Sequence, residues 1–326
     1  MKPTVLIEKI ALNTEDIKAQ FMRAFSMLSL DKDFNDARAI FIKPNLTYPE
    51  FKQGVTTRVE FIDILVSTLR SINSTTMIYI GEGEGGYHSF SMTDAMHTMG
   101  FFHLEKKYEN IKIINLSKIP SENVILHVNK KTYNIMLPSI FFNEIDFSIS
   151  CPVPKVHCMT KITLSLKNIW GCLPDPMRLK NHYVFDSIIS QISNKLKFRY
   201  AFLDGQYGLD HNGPIVGKTV SPDWFVASNS TGAMDMVVSE MMGFQWKKIK
   251  YLNQSNKLGL LPRFENIKRI GDIEKYKKTF CLKRSFWNYP ALLAFNSSKL
   301  TQLVYFSKWA DILHRIMYTF RSKPIK

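Results

Sequence analysis

Between Lys155 and His182, seven basic or imidazole side chains fall within 28 positions: Lys155, His157, Lys161, Lys167, Arg178, Lys180 and His182. Lysine and arginine neutralise phosphate or carboxylate oxygens, and histidine moves protons near neutral pH. Convergence of this set on one anion is therefore expected, with Lys155, His157, Lys167 and His182 as the candidate catalytic residues. A lysine whose pKa is lowered could also act as a nucleophile. Thr160, Thr163, Ser165 and Asn168 lie among apolar neighbours in the same stretch, where partly buried polar groups need partners.

Other candidates sit where apolar runs end. Lys43 and Asn45 follow Ile40-Phe41-Ile42, and Gly54-Val55-Thr56-Thr57 leads into a helical pattern. Lys43 could pair with Glu82 instead of a ligand, and Thr57 with Glu60 has the spacing of a capping box. The loop Gly81 to Gly86, GEGEGG, matches G-x-G-x-x-G in letters. Its Glu82 and Glu84 would place negative charge beside a pyrophosphate, so electrostatics disfavour a dinucleotide; sugar hydroxyls, a metal or an amine suit such carboxylates better. Asp204 ends another apolar run as a candidate general base or metal ligand, before the irregular His211-Asn212-Gly213-Pro214. Asp235 lies in the first turns of a helix that Ser230 or Thr231 would cap. Cys151, Cys158, Cys172 and Cys281 form no C-x-x-C pair, which argues against a disulfide framework, a ferredoxin-type cluster or a zinc site.

These residues must be positioned by elements whose patterns alternate. Short apolar runs at Thr4 to Ile7, Ala39 to Ile42, Met77 to Ile80, Ile111 to Leu116, Phe147 to Ser150, Tyr200 to Leu203 and Phe225 to Ala227 read as strands. Helical periods lie between them, as in Val59, Ile62, Leu65 and Leu69. The fold expected is α/β: a mixed, largely parallel sheet flanked by helices, with a basic helical C-terminal extension. A hairpin of Val124 to Val128 and Tyr133 to Leu137 is expected to join the main sheet.

With 326 residues and 45% hydrophobic content the chain is expected to fold as a globular protein. It carries +15, unevenly placed: residues 1–245 are close to neutral at +1, whereas residues 246–326 carry +14. The sequence thus divides into an α/β core, 1–245, and a basic, partly amphipathic extension, 246–326. Clustered Lys and Arg favour an anionic partner. Lys299 to Arg321 can form an amphipathic helix whose lysines and arginines face lipid head groups, and Phe286, Trp287 and Tyr289 beside Lys283 and Arg284 could stack bases. The opening residues hold no apolar run of signal-peptide length, so a cytoplasmic protein is the expectation, and the amphipathic tail adds the alternative of peripheral contact with the inner face of a membrane.

Several phrases recur in order: IKPNL at Ile42 to Leu46, GVTT at Gly54 to Thr57, IGEG at Ile80 to Gly83, PKVH at Pro154 to His157, TLSLKNIWG at Thr163 to Gly171, then LDG and NGP. Together they resemble the domain-of-unknown-function-362 family over roughly Ile40 to Gly243, with TLSLKNIWG the most specific piece. The resemblance implies one shared site for Lys43, Asn45, Thr57, Glu82, Lys155, His157, Lys167, Asn168, His182, Asp204 and Gly213. Many family members carry a ferredoxin-type cysteine module, and here the extension after Gly243 holds only Cys281.

The leading expectation is an enzyme acting on an anionic, phosphorylated or carboxylated, small molecule or lipid-linked intermediate. Alternatives are a redox or cofactor-binding protein and, with less support, a nucleic-acid-binding protein using the basic extension. The cofactor is left open.

Overall fold

A computed structural model describes residues 2–85, 90–128, 130–286, 288–310 and Ile312. Its strands in chain order are β1 (Thr4–Lys9), β2 (Ala39–Pro44), β3 (Met77–Glu82), β4 (Ile111–Asn115), β5 (Ser121–Val128), β6 (Lys131–Pro138) and β7 (Phe147–Cys151). There follow β8 (Lys155–His157), β9 (Lys161–Thr163), β10 (Phe198–Gly205), β11 (Gly208–Asp210), β12 (Lys218–Val220), β13 (Trp224–Ser228) and β14 (Lys268–Ile270). Eight of them form the central sheet in the order β14-β1-β13-β10-β7-β2-β3-β4. Only β13 runs against the rest, because it pairs antiparallel with both β1 and β10 while the remaining pairs are parallel. The sheet is mixed and largely parallel, and each of the seven strand runs read from the sequence lies in it.

Strand side chains alternate across the sheet, and the two faces build two cores. Ile40 and Ile42 of β2 join Phe202 of β10 beneath helices Thr14–Leu28 and Val59–Arg70, around fully buried Phe21 and Phe61. Phe41 of β2 and Leu203 of β10 face the other way, toward helices Phe185–Lys195 and Thr231–Met241. Each fully buried phenylalanine contributes roughly 1.5–3 kcal/mol relative to exposure. Helix Thr14–Leu28 starts where Asn13 accepts the Asp16 N–H, and Thr231–Met241 where Ser230 accepts the Ala233 N–H.

The hairpin differs from expectation. β5 and β6 pair with each other in a separate two-stranded sheet, not with the central one. Leu126, Val128, Ile135 and Leu137 occupy one of its faces and bury against the same core as Ile188, Ile189 and Ile192, so its apolar surface is covered without an edge bond. The mixed character comes from β13 instead. A four-stranded sheet, β12-β11-β8-β9, stands over the carboxyl ends of the central strands.

Beyond Trp246, β14 adds an edge to the central sheet beside β1, and helix Lys250–Lys257 packs on Phe185–Lys195. The helix expected from Lys299 to Arg321 appears as two short segments, Ser298–Thr301 and a π-type turn Gln302–Phe306, then stops at Ser307. The Ser307 hydroxyl donates to Leu303 O at 2.6 Å and accepts the Trp309 N–H at 3.2 Å, offering the backbone an alternative to helix. Asp311 and residues 313–321 of that expectation lie outside the described residues. Among the described residues, no helix is long and apolar enough to cross a membrane.

Candidate functional site

In open α/β sheets ligands collect at the carboxyl ends of the strands. There β2 ends in Lys43 and Pro44, β3 in Glu82 and β7 in Cys151, with β8 and β9 above them. A cavity of about 190 Å³ opens among Asn45, Glu82, Lys155, His157, Lys167, Asn168 and His182, all named from the sequence. A wider hollow of about 710 Å³ lies at the opposite, amino end of β7 and β10. Its Arg199 and Asp146 are already paired, with Asp33 at 2.6 Å and with Arg38 at 3.2 Å, and its Lys197 donates to Ile145 O, whereas the smaller cavity gathers the basic residues expected from the sequence.

The floor is a buried ion pair. Lys43, fully buried, donates to Glu82, whose carboxylate also accepts the Leu46 N–H and the Gly83 N–H, each at 3.2 Å. Gly171 lies so close that a Cβ there would run into the same carboxylate. The pair that the sequence left as an alternative to ligand binding therefore exists, and Lys43 itself does not line the cavity.

Lys155, on β8, is fully buried and donates to Asn45 Oδ1 at 2.9 Å, Val55 O at 2.7 Å and Thr47 Oγ1 at 3.3 Å. Three acceptors match the three N–H bonds of an ammonium. Burial, with the Lys167 and Lys43 cations nearby, lowers its pKa to about 7, against the pull of Glu82. Thr57 does not cap the helix that follows it. It accepts the Asn45 N–H and donates to Cys151 O, each at 2.8 Å, while Arg58 occupies the cap position without a side-chain bond. Cross-strand contacts at the sheet end outcompeted the local capping box.

His157 is defined by its own turn. Its Nδ1 accepts the backbone N–H of Met159 at 3.1 Å, with a longer 3.4 Å approach from Thr160 N. A nitrogen that accepts carries no proton, so the neutral ring holds its proton on Nε2 and serves as a donor. Desolvation first, then Lys167, Lys155, His182 and Arg284, push its pKa well below the ordinary histidine value. His182 is lowered likewise by burial, Lys167 and Arg178, and lies between the rings of Trp170 and Phe295, at 5.8 and 4.6 Å.

Lys167 and Asn168 ride on helix Ser165–Ile169, whose start is anchored by Asp235: its carboxylate accepts the N–H groups of Ser165 and Leu166 at 2.7 and 3.0 Å and the Tyr251 hydroxyl at 3.2 Å. Asp235 thus caps another helix, not its own. Asn168 Nδ2 donates to Lys43 O and the Ser150 hydroxyl, fixing the helix against the strand ends. Lys167 Nζ has no hydrogen-bond or ion-pair acceptor among the described residues and sits 5.3 Å from the Phe185 ring centre. Desolvation and Arg178 lower its pKa to about 8.

Arg178 was among the basic residues noted but received no role from spacing. It lines the cavity and donates through one nitrogen to Gly171 O and Leu173 O at 3.0 and 3.1 Å, with its guanidinium pressed on Gly85. The G-x-G-x-x-G letters thus make room for an arginine. Trp170, which also lines the cavity, has an indole N–H without an acceptor among the described residues, and Thr163 a hydroxyl without a partner among them. The polar Thr163 in an apolar stretch was the one advance hint; an indole N–H leaves none.

Two residues stand apart. Asp204 is held by Arg58, which donates from Nε and a terminal nitrogen at 2.7–3.1 Å, and it does not line the cavity. Gly213 accepts the Cys158 N–H at 3.0 Å, behind Pro214, which does line it.

Comparison with known proteins bears on this site. The sequence model of the family described as "Domain of unknown function (DUF362)" matches residues 40–240, a span that holds every element lining the cavity. The chain belongs to that family. Over 126 residues, this DUF362 protein is 25% identical to a thylakoid-associated protein of Synechocystis sp., a match covering 36% of this chain and 39% of that protein. The chain thus spans well under half of that curated relative. Among solved structures, the lactate racemase apoprotein of Thermoanaerobacterium thermosaccharolyticum aligns with a TM-score of 0.45 and 12% identity, over 79% of this chain and 57% of the other. A Thermotoga maritima protein aligns with 0.44 and 11%, over 77% and 60%.

Proposed function

We propose that the DUF362 cavity binds a compact phosphorylated or carboxylated molecule and that the protein is an enzyme in which Lys167 exchanges a proton with it. The observation that carries this reading is the Lys167 ammonium, which stands among donors with no acceptor among the described residues. His157 offers Nε2–H, Trp170 an N–H with no acceptor among the described residues and Arg178 a guanidinium, while Glu82, a carboxylate lining the cavity, is occupied by Lys43 and two backbone N–H groups. A cluster of preorganised donors is what an anion, or negative charge developing in a transition state, requires. An amine with a pKa near 8 can both give and take a proton at neutral pH.

Size selects among anions. Sites for drug-sized ligands and cofactors span roughly 300–1,000 Å³, above the about 190 Å³ bounded here, which favours a small acid over a flavin or dinucleotide. Isothermal titration with inorganic phosphate and with malonate tests the reading. Wild type should bind at least one, and Lys167→Gln should bind it about tenfold or more weakly, as loss of a charge-assisted bond predicts. Identical titration curves for the two proteins would refute it.

A further inference from the structure

The exposed apolar surface is concentrated at one place. Among the described residues, eight of seventeen exposed large hydrophobic side chains lie after Arg284. They include Tyr289 and Leu293 on helix Asn288–Phe295, then Leu303, Phe306, Trp309 and Ile312, the exposures running from 39% to 64%. Water-exposed aromatic and aliphatic side chains in such density mark an interaction surface, since scattered single ones are the norm. The accompanying charge is of one sign: from Lys283 to the end the sequence holds eight Lys or Arg and one acid, Asp311. Lys308 stands over the Trp309 ring, 5.5 Å from its centre.

We infer that this segment docks the protein on an anionic membrane surface. Apolar side chains that enter the head-group boundary, aromatic rings suited to it and lysines that meet acidic lipids are the three components of interfacial binding, and all three occur here. Charge complementarity selects a bilayer over a second copy of the chain, because two such surfaces would repel. A groove of about 530 Å³ opens beside the segment, lined by Lys131 and Tyr133 of the β5–β6 hairpin and by Tyr183 and Lys299, large enough for a lipid head group.

The same segment forms the outer support of the cavity wall. Helices Asn288–Phe295 and Ser298–Thr301 pack on Arg178–Val184, the turn that supplies Arg178 and His182, and the Phe295 ring packs at a tilt against His182, 4.6 Å between centres. Docking would therefore hold that wall next to the lipid surface.

Sedimentation of the full chain with vesicles of phosphatidylcholine, alone or mixed with phosphatidylglycerol, tests the inference. Binding is expected only to the mixed vesicles and should weaken with salt. The pair Lys299→Ser/Lys308→Ser should reduce it roughly tenfold, and Leu293→Glu/Trp309→Glu at least as much, with far-UV circular dichroism unchanged. Should the apolar pair misfold, the lysine pair and the salt series still decide. No binding to mixed vesicles, or equal binding by the lysine pair, overturns the inference. So does a wild-type dimer in light scattering that Leu293→Glu/Trp309→Glu converts to monomer, since a second copy would then cover the surface.

Discussion

The guanidinium of Arg178 occupies the space that a side chain on Gly85 would fill. The glycine-rich loop after β3 thus admits a cation to the cavity, and Gly83 N–H ties that loop to the turn Trp170–Cys172 by donating to Gly171 O at 2.9 Å. Gly85→Ala should displace the guanidinium and break its bonds to Gly171 O and Leu173 O. Because bonds to charged groups contribute roughly 1.5–3 kcal/mol, affinity for phosphate or malonate should fall about tenfold or more by calorimetry, with the fold intact by circular dichroism. Undiminished affinity would remove Arg178 from the binding set.

Lys167 and Lys155 predict two separate pH effects. Lys167, lowered to about 8, is positive below that pH and neutral above it, so affinity for sulfate, whose charge is constant there, should decline as pH rises through about 8. Lys167→Gln should show a shallower decline over the same range, because Lys155, lowered to about 7, still titrates beside the cavity.

For Lys155 the effect is on stability. Its folded pKa of about 7 lies below the ordinary 10.5, so between those values the unfolded chain binds more protons and stability rises with pH. The contribution is at most about 1.4 kcal/mol per pH unit. Urea denaturation at pH 7 and 9 should show this gain in wild type and a smaller one in Lys155→Met, where Lys167, lowered to about 8, still contributes. An equal pH response in both proteins would count against a neutralised Lys155.

Two of the buried carboxylates, Glu82 and Asp204, should separate structure from ligand binding. Glu82→Gln leaves Lys43 buried beside a neutral amide, a change that typically costs about 3–5 kcal/mol, and it disturbs the cavity floor. Asp204→Asn weakens the Arg58 bonds at a distance from the cavity. It should lower the melting temperature while sulfate affinity stays within about twofold, as expected for a residue outside the ligand shell. A large loss of affinity in Asp204→Asn would bring Asp204 back to the site.

The sequence by itself determined the sheet and the neighbourhood. Apolar runs such as Ile40 to Ile42 and Phe147 to Ser150 can bury both faces only inside a helix-covered sheet, and strand ends then bring Asn45, Glu82, Lys155, His157 and Lys167 together. Periodicity could not show that β5 and β6 stand apart, since a hairpin looks the same wherever its apolar face is covered. Nor could it assign roles among like residues. Lys43, Lys155 and Lys167 are one residue type, and only tertiary packing gave the first a carboxylate, the second three oxygen acceptors, and left the third without one among the described residues. The same holds for His157, whose donor character rests on a backbone N–H two residues away, and for Asp204, which a long-range arginine claims. Residue type limits the chemistry a side chain can perform; the partners that folding brings to it decide which part remains available to a ligand.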